Sequence, residues 1–178
     1  RAKLGVTGVR GDAILLDASE RMGAQGRIPD LPPRWYADVA TRASGGTSFA
    51  GDFLVAHRSD DDRYLSVVLV DVSGKGVDAG ARSMLLSGAF SGLLGALPRE
   101  QFLPAANAFL LRQDWNEGFA TAIHLWLDLD DGRFELRCAG HPPATQFRAS
   151  AGRWQVHGPD GPLLGVLGDP DYDVATGV

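Results

Sequence analysis

Tyr64-Leu-Ser-Val-Val-Leu-Val-Asp71-Val-Ser-Gly-Lys-Gly-Val-Asp-Ala-Gly80 runs from an apolar segment onto one carboxylate, through a glycine-broken turn and into a helix-like stretch. Residues 64–71 read as a buried strand. Phe49 to His57, carrying Asp52, reads as the strand before it, and the acidic loop Ser59-Asp-Asp-Asp-Arg63 joins the two. So short a connection makes the pair antiparallel, because parallel strands need a crossover of a dozen or more residues. Trp35 to Arg42 reads as a further strand, ahead of a turn at Gly45-Gly46.

Downstream, Ala79 to Leu97 is rich in Ala, Leu and Met and predicts a long helix that Pro98 ends; Glu100 to Gln113 predicts a second. Thr121 to Leu129 alternates, with Ile123, Leu125, Leu127 and Leu129 to one side and His124, Trp126 and Asp128 to the other. Asp130-Asp131-Gly132 is a hairpin turn, after which Phe134 to Ala139 pairs back. Ala144 to Arg148 and Trp154 to His157 complete the strands. Upstream, residues 9–25 read as a helix with Ile14, Leu15, Ala18 and Met22 near one side, stopped by Gly26, Pro29, Pro32 and Pro33. The expected organisation is an N-terminal helical arm and Pro-rich linker over 1–33, then one α+β domain with mainly antiparallel sheet over 34–178.

A chain of 178 residues is long enough for one good core. Its 44% hydrophobic and 22% charged residues are the balance of a globular domain. A net charge of −5 argues against a general binder of nucleic acid or anionic membrane, which are held by excess Lys and Arg. An anion can still be bound locally, because a metal inverts the charge of a pocket. A single cysteine, Cys138, rules out a disulfide framework and a Cys-rich zinc site, and its alternation with charged neighbours reads as a buried strand position. No segment approaches the roughly 20 apolar residues of a membrane span. The expectation is a cytoplasmic domain, free-standing or part of a larger membrane-anchored protein.

The chemistry centres on Asp71. Val72-Ser-Gly-Lys-Gly76 lacks the earlier glycine and the Lys-Ser/Thr pair of a Walker loop. Gly74 to Gly80 is one residue away from a dinucleotide fingerprint, which also needs a second, parallel strand ending in an acid about 20 residues on. Pro98-Arg-Glu100 stands there instead. A metal site is the alternative. Asp71 ends a buried strand, where an unpaired ionised carboxylate is costly, and pairing through the acidic loop brings Asp52 towards it. Two close carboxylates repel unless they share a proton or a cation, and hard oxygen ligands suit Mg²⁺ or Mn²⁺. A turn-capping Asp71 and a surface Asp52 are the plainer readings, and spacing alone leaves both open.

Gly51-Asp52-Phe53, Asp71-Val-Ser-Gly-Lys-Gly76, Phe119-Ala-Thr121 and Ala139-Gly-His-Pro-Pro143 resemble, in order, successive motifs of the metal-dependent protein phosphatases. The branch they resemble is the bacterial sporulation stage II protein E type, similar to protein phosphatase 2C. Gly161-Pro-Leu-Leu-Gly165 resembles its later Pro-Leu-Gly segment. The resemblance implies an α-β-β-α sandwich of two mainly antiparallel sheets flanked by helices. It implies a serine/threonine phosphatase using two Mn²⁺ or Mg²⁺ ions, with Asp71 bridging both, the Val72 carbonyl completing one shell and Asp52 binding directly or through water. The implied substrate is a phosphorylated regulatory protein, in this branch commonly an anti-sigma factor antagonist.

Members of that family place further metal aspartates beyond the Pro-Leu-Gly segment, in an Asp-Gly turn and a final acidic motif; residues up to Val178 contain neither. Asp169, Asp171 and Asp173 read as a solvated loop. The expectation is therefore a C-terminally incomplete domain with a strand interrupted at Val178. The rival reading is a pseudophosphatase that binds a partner without hydrolysis. The helical pair 79–113 is expected to act as a switch, and it or the N-terminal helix to support a homodimer. His141 reads as a turn histidine bonded to backbone, with proton donation near phosphate as the sharper alternative. Lys75 and Arg82 read as solvated or helix-surface cations before phosphate ligands. Thr121 reads as a packing or hydrogen-bonding residue, and Asn107 as a bond to a neighbouring helix.

Overall fold

The computed structural model describes residues 26–40, 51–74, 76–113, 115 and 118–178. The helix expected at 9–25, the Gly45-Gly46 turn and Lys75 lie outside them. Strand β1 (Asp52–Arg58) and strand β2 (Tyr64–Val72) form the expected antiparallel hairpin. Its loop is held from within: the Ser59 amide donates to the Tyr64 carbonyl at 2.9 Å, and the Asp62 amide to the Ser59 carbonyl at 2.8 Å. Asp62 takes the left-handed conformation (φ 62°), which Asp tolerates better than most side chains, and sits 3.3 Å from the Arg58 guanidinium.

Helix α1 (Gly76–Ala96) and helix α2 (Phe102–Leu111) follow, then strands β3 (Ala120–Asp128), β4 (Phe134–Ala139), β5 (Ala144–Arg148), β6 (Arg153–His157) and β7 (Val174–Gly177). Helix α1 begins three residues ahead of expectation, with Asp78 in its first turn where a carboxylate meets the positive end of the helix dipole. Helix α2 begins later than Glu100, because the Pro98–Gln101 segment closes as a turn, the Gln101 amide donating to the Pro98 carbonyl at 2.9 Å. Pro104 is accommodated in its first turn, where no intrahelical donor is lost.

Among the described residues, one sheet has the order β1-β2-β3-β4-β7 and the other is the hairpin β5-β6; the pairings between these strands are antiparallel, and a lone parallel bridge joins Ala122 to Gly140. Because β3 returns antiparallel to β2 after both helices, the parallel βαβ crossover of a dinucleotide site does not form, and that reading is excluded. The strand expected at Trp35–Arg42 is also corrected over its described part. Residues 35–40 join no sheet; the Trp35 indole instead donates to the Leu129 carbonyl at 2.8 Å. Arg34 contacts the same carbonyl, so the Pro-rich segment is pinned to the β3–β4 turn by side chains rather than by a backbone ladder.

Both helices pack on one face of the large sheet. Phe53 and Val55 of β1, Val68, Val70 and Val72 of β2, and Ala120 and Ala122 of β3 meet Leu86, Phe90, Phe102, Leu103 and Leu110 from the helices. Phe90 stands edge-on to Phe102 at 5.6 Å and tilted to Phe53 at 5.9 Å, tying both helices to β1. The alternation in β3 reads correctly, but burial does not follow it as expected. His124 is buried beneath the helices, while Ile123, Leu125 and Leu127 are only partly covered; Asp128 and Leu129, at the strand end, are both buried. Small Ala120 and Ala122 on the His124 side explain the difference, since they let the helices approach that face closely.

Candidate active site

Asp52 opens β1 and lies directly opposite Asp71, the penultimate residue of β2. On the other flank of β2, Asp71 lies opposite Thr121 of β3. Directly opposed residues project from the same face, with Cβ atoms about 5 Å apart, so Asp52, Asp71 and Thr121 form one row across three strands. That face is the one turned away from the helices.

Local sequence fixes the row. A Cβ at Gly51 would stand 2.8 Å from the Val72 carbonyl oxygen, so only glycine lets β1 start against it. The buried Ser83 hydroxyl of α1 donates to the Gly51 carbonyl at 2.7 Å, with the Ala79 carbonyl at 2.9 Å as its alternative acceptor. Beyond Asp71, the Ser73 amide donates to the Phe119 carbonyl at 3.0 Å and the Ser73 hydroxyl accepts from the Phe119 amide at 3.0 Å. Gly74 then turns in the left-handed region (φ 115°) to release the chain into α1.

His141 reaches the row from the end of β4. Gly140 turns with φ 63°, in a place where a Cβ would overlap Leu163. The His141 Nδ1 stands 2.8 Å from Thr121 Oγ1. The ring therefore bonds a side-chain hydroxyl rather than the backbone, and Thr121 hydrogen-bonds as expected. The Gly161–Leu164 segment supports this corner: Gly140 donates to the Gly161 carbonyl at 3.0 Å, and Ala120 and Leu164 exchange amide bonds at 3.1 and 2.9 Å. Asn107 bonds this region rather than a helix, accepting from the Gly165 amide at 2.8 Å and donating to the Leu167 carbonyl at 2.9 Å.

Partial burial raises the Asp52 carboxyl above the usual range, and the charge of Asp71 and a hydrogen bond with it raise it further; nearby His141 opposes them. Burial lowers His141, against the pull of Asp52. The pair thus carries the repulsion that a shared proton or a cation relieves. In chemistry the donor set, two carboxylates beside the Val72 backbone, fits a hard divalent cation whose remaining positions are filled by water. Among the described residues no third His, Cys, Asp or Glu joins them in a metal-sized cluster, so Asp169, Asp171 and Asp173 are not substitutes. Arg82 lies across the Gly74 turn with its guanidinium over the Trp115 ring at 5.1 Å. The sequence pattern did not reveal the Thr121–His141 pair as part of the row. Two helices separate β2 from β3, and no short turn sets their register.

A family model described as Stage II sporulation protein E (SpoIIE) matches residues 61–177. Among solved structures, the RsbU and RsbW domains of a Mycobacterium tuberculosis protein are 28% identical with a TM-score of 0.62, over 75% of this chain and 37% of that one. The PP2C phosphatase domain with a fragment of the regulatory domain of SpoIIE from Bacillus subtilis is 17% identical with a TM-score of 0.61, over 71% and 37%. The SiaA-PP2C domain of Pseudomonas aeruginosa is 17% identical with a TM-score of 0.66, over 96% and 69%. The last two share the fold at identities too low to show more. The chain spans little more than a third of the first two structures. No curated protein matches it.

Proposed function

The chain belongs to the stage II sporulation protein E family, and from that premise we propose that it forms the core of a PP2C-type phosphatase domain that hydrolyses phosphoserine or phosphothreonine on a regulatory protein. The observation that carries this reading is the register that opposes Asp52 to Asp71 on one face, with the Asp52 carboxyl raised by partial burial and then by its neighbour. Asp71 and Asp52, with the Val72 carbonyl, are the residues that would hold Mn²⁺ or Mg²⁺, two ions in the complete site. Such ions polarise a phosphoryl oxygen and lower the pKa of water. Asp71, at the centre of the row between Asp52 and Thr121, is placed to share a cation with Asp52. Thr121 orients His141 through Nδ1, and the imidazolium form of the ring, the minor one near pH 7 because burial lowers its pKa, would pass its Nε2 proton to the departing serine or threonine oxygen. An RsbU-like substrate, a phosphorylated anti-sigma factor antagonist, is the first to test, since RsbU domains supply the 28% identical neighbour. Residues 34–178 form this unit in our reading, in the cytoplasm, with 1–33 or the helical pair as a dimerisation element.

The test is hydrolysis of p-nitrophenyl phosphate by the intact protein with and without Mn²⁺, beside Asp71→Ala. The expected result is Mn²⁺-dependent turnover that falls at least about a hundredfold in the variant. Equal Mn²⁺-dependent rates in both proteins would remove Asp71 from its role. A second reading, a pseudophosphatase, is favoured by one observation: only two carboxylates meet among the described residues. It predicts Mn²⁺-independent capture of the phosphoprotein and no turnover.

A further inference from the structure

Two facing carboxylates push a strand end apart. Asp52 is the first residue of β1, and its pairing with Asp71 closes the ladder: among the described residues no β1–β2 pair lies beyond it. Like charges directly opposite one another destabilise a sheet, and the ends of a ladder open most readily. Something outside the ladder must hold Asp52 in place.

Ser83 is that group. It is 0% exposed on the core face of α1, three residues before Leu86 and seven before Phe90. Its hydroxyl stands 2.7 Å from the Gly51 carbonyl and 2.9 Å from the Ala79 carbonyl. A hydroxyl has one hydrogen to give, and the Ala79 carbonyl is already the acceptor for the Ser83 amide in the helix ladder. The hydrogen therefore goes to the nearer oxygen, on the peptide that joins Gly51 to Asp52. Serine suits a helix interior less well than alanine, so what this residue adds to the fold is its hydroxyl.

Gly51 is the point round which the donors are arranged. A Cβ there would stand 2.8 Å from the Val72 carbonyl oxygen and 3.7 Å from Asp71 Oδ1. One side of Gly51 thus faces two of the three candidate metal donors, its carbonyl is held by Ser83, and the third donor, Asp52, is the next residue. Any shift of the Gly51 carbonyl moves Asp52 against the other two.

We propose that Ser83 is a positioning residue for the carboxylate pair, holding Asp52 at the separation from Asp71 at which the two share one cation. The shared cation rests on the phosphatase reading given above; the hold on Asp52 does not.

The test compares the natural 178-residue chain with Ser83→Ala and with Leu94→Ala, which opens the core at the far end of the same helix. Backbone spectra report that each variant is folded. Without metal, amide hydrogen exchange at residues 52–54 should run about tenfold faster in Ser83→Ala, the effect of one lost hydrogen bond, with residues 56–58 unchanged. Mn²⁺ affinity, read from the electron paramagnetic resonance signal of the free ion, should fall about tenfold in Ser83→Ala and stay within about twofold in Leu94→Ala. Unchanged exchange at 52–54 in Ser83→Ala, or an equal loss of Mn²⁺ affinity in Leu94→Ala, would overturn the assignment. No Mn²⁺ uptake by the natural chain would instead remove the metal reading of the pair, and the exchange comparison would still decide whether Ser83 holds Asp52.

Discussion

Lowering the pH from 8 to 5 should destabilise the folded chain through His124, and the size of the effect follows from its surroundings. In the unfolded chain the imidazole titrates near 6.5; in the fold, burial among helix and strand side chains pushes it down to about 3. Between these values the unfolded chain binds a proton that the folded chain refuses, so stability rises with pH through this window and is lost as pH falls below about 6.5. Each unit corresponds to about 1.4 kcal/mol, so at pH 5 the loss is about 2 kcal/mol, levelling off near pH 3. The assay is urea unfolding at pH 8 and pH 5 for the natural chain and for His124→Phe. Other titrating groups are common to both proteins and cancel in the difference. With a urea slope of about 2 kcal/mol per molar, the midpoint of the natural chain should fall by about 1 M more than that of the variant. The variant should also be the more stable at pH 8, because its ring leaves no polar atom unsatisfied. Identical pH dependence in the two proteins would refute the reasoning, since it would mean that His124 charges as readily in the fold as in water.

The carboxylate pair predicts an opposite response to metal. Without divalent ions, Asp52→Asn should unfold at a slightly higher urea concentration than the natural chain, by less than about 1 kcal/mol because the group reaches solvent; with Mn²⁺ in excess the order should reverse. Phe90→Ala, which empties the centre of the Phe53–Phe90–Phe102 cluster, should cost about 3–5 kcal/mol in the same measurement. Asn107→Ala removes both bonds to the Gly165–Leu167 segment and should cost about 2 kcal/mol, with faster amide exchange at Gly165. Gly161→Ala should fold poorly, because the added carbon would overlap the Cys138 carbonyl.

Local chemistry made the hairpins legible. The loop from Ser59 to Arg63 and the Asp130-Asp131-Gly132 turn each force neighbouring strands to be antiparallel, so β1–β2 and β3–β4 follow from residues a few positions apart. Asp52 and Asp71 fall within one such hairpin, which is why their meeting could be expected. Thr121 and His141 could not be placed in the same way. Their neighbours are set by the docking of β3 on β2 across two helices, and by a turn at Gly140 whose backbone conformation depends on the distant Leu163. Trp35 misled because its apolar neighbours mimic a strand, whereas three nearby prolines weaken any ladder and the indole finds its acceptor in the β3–β4 turn. In β3, periodicity identified two faces but not which is covered. That depends on Ala120 and Ala122 being small enough for helices to settle over His124.

The β1–β2 hairpin carries a consequence for how such a chain tolerates change. Its acidic loop sits about 20 Å along the strands from the opposed carboxylates, near none of the residues assigned to chemistry. Substituting those loop acids should matter little, whereas inserting or deleting one residue there would slide β1 by one position and swing Asp52 to the helix side. Chain length at a remote, solvated bend therefore sets the aim of the carboxylate pair.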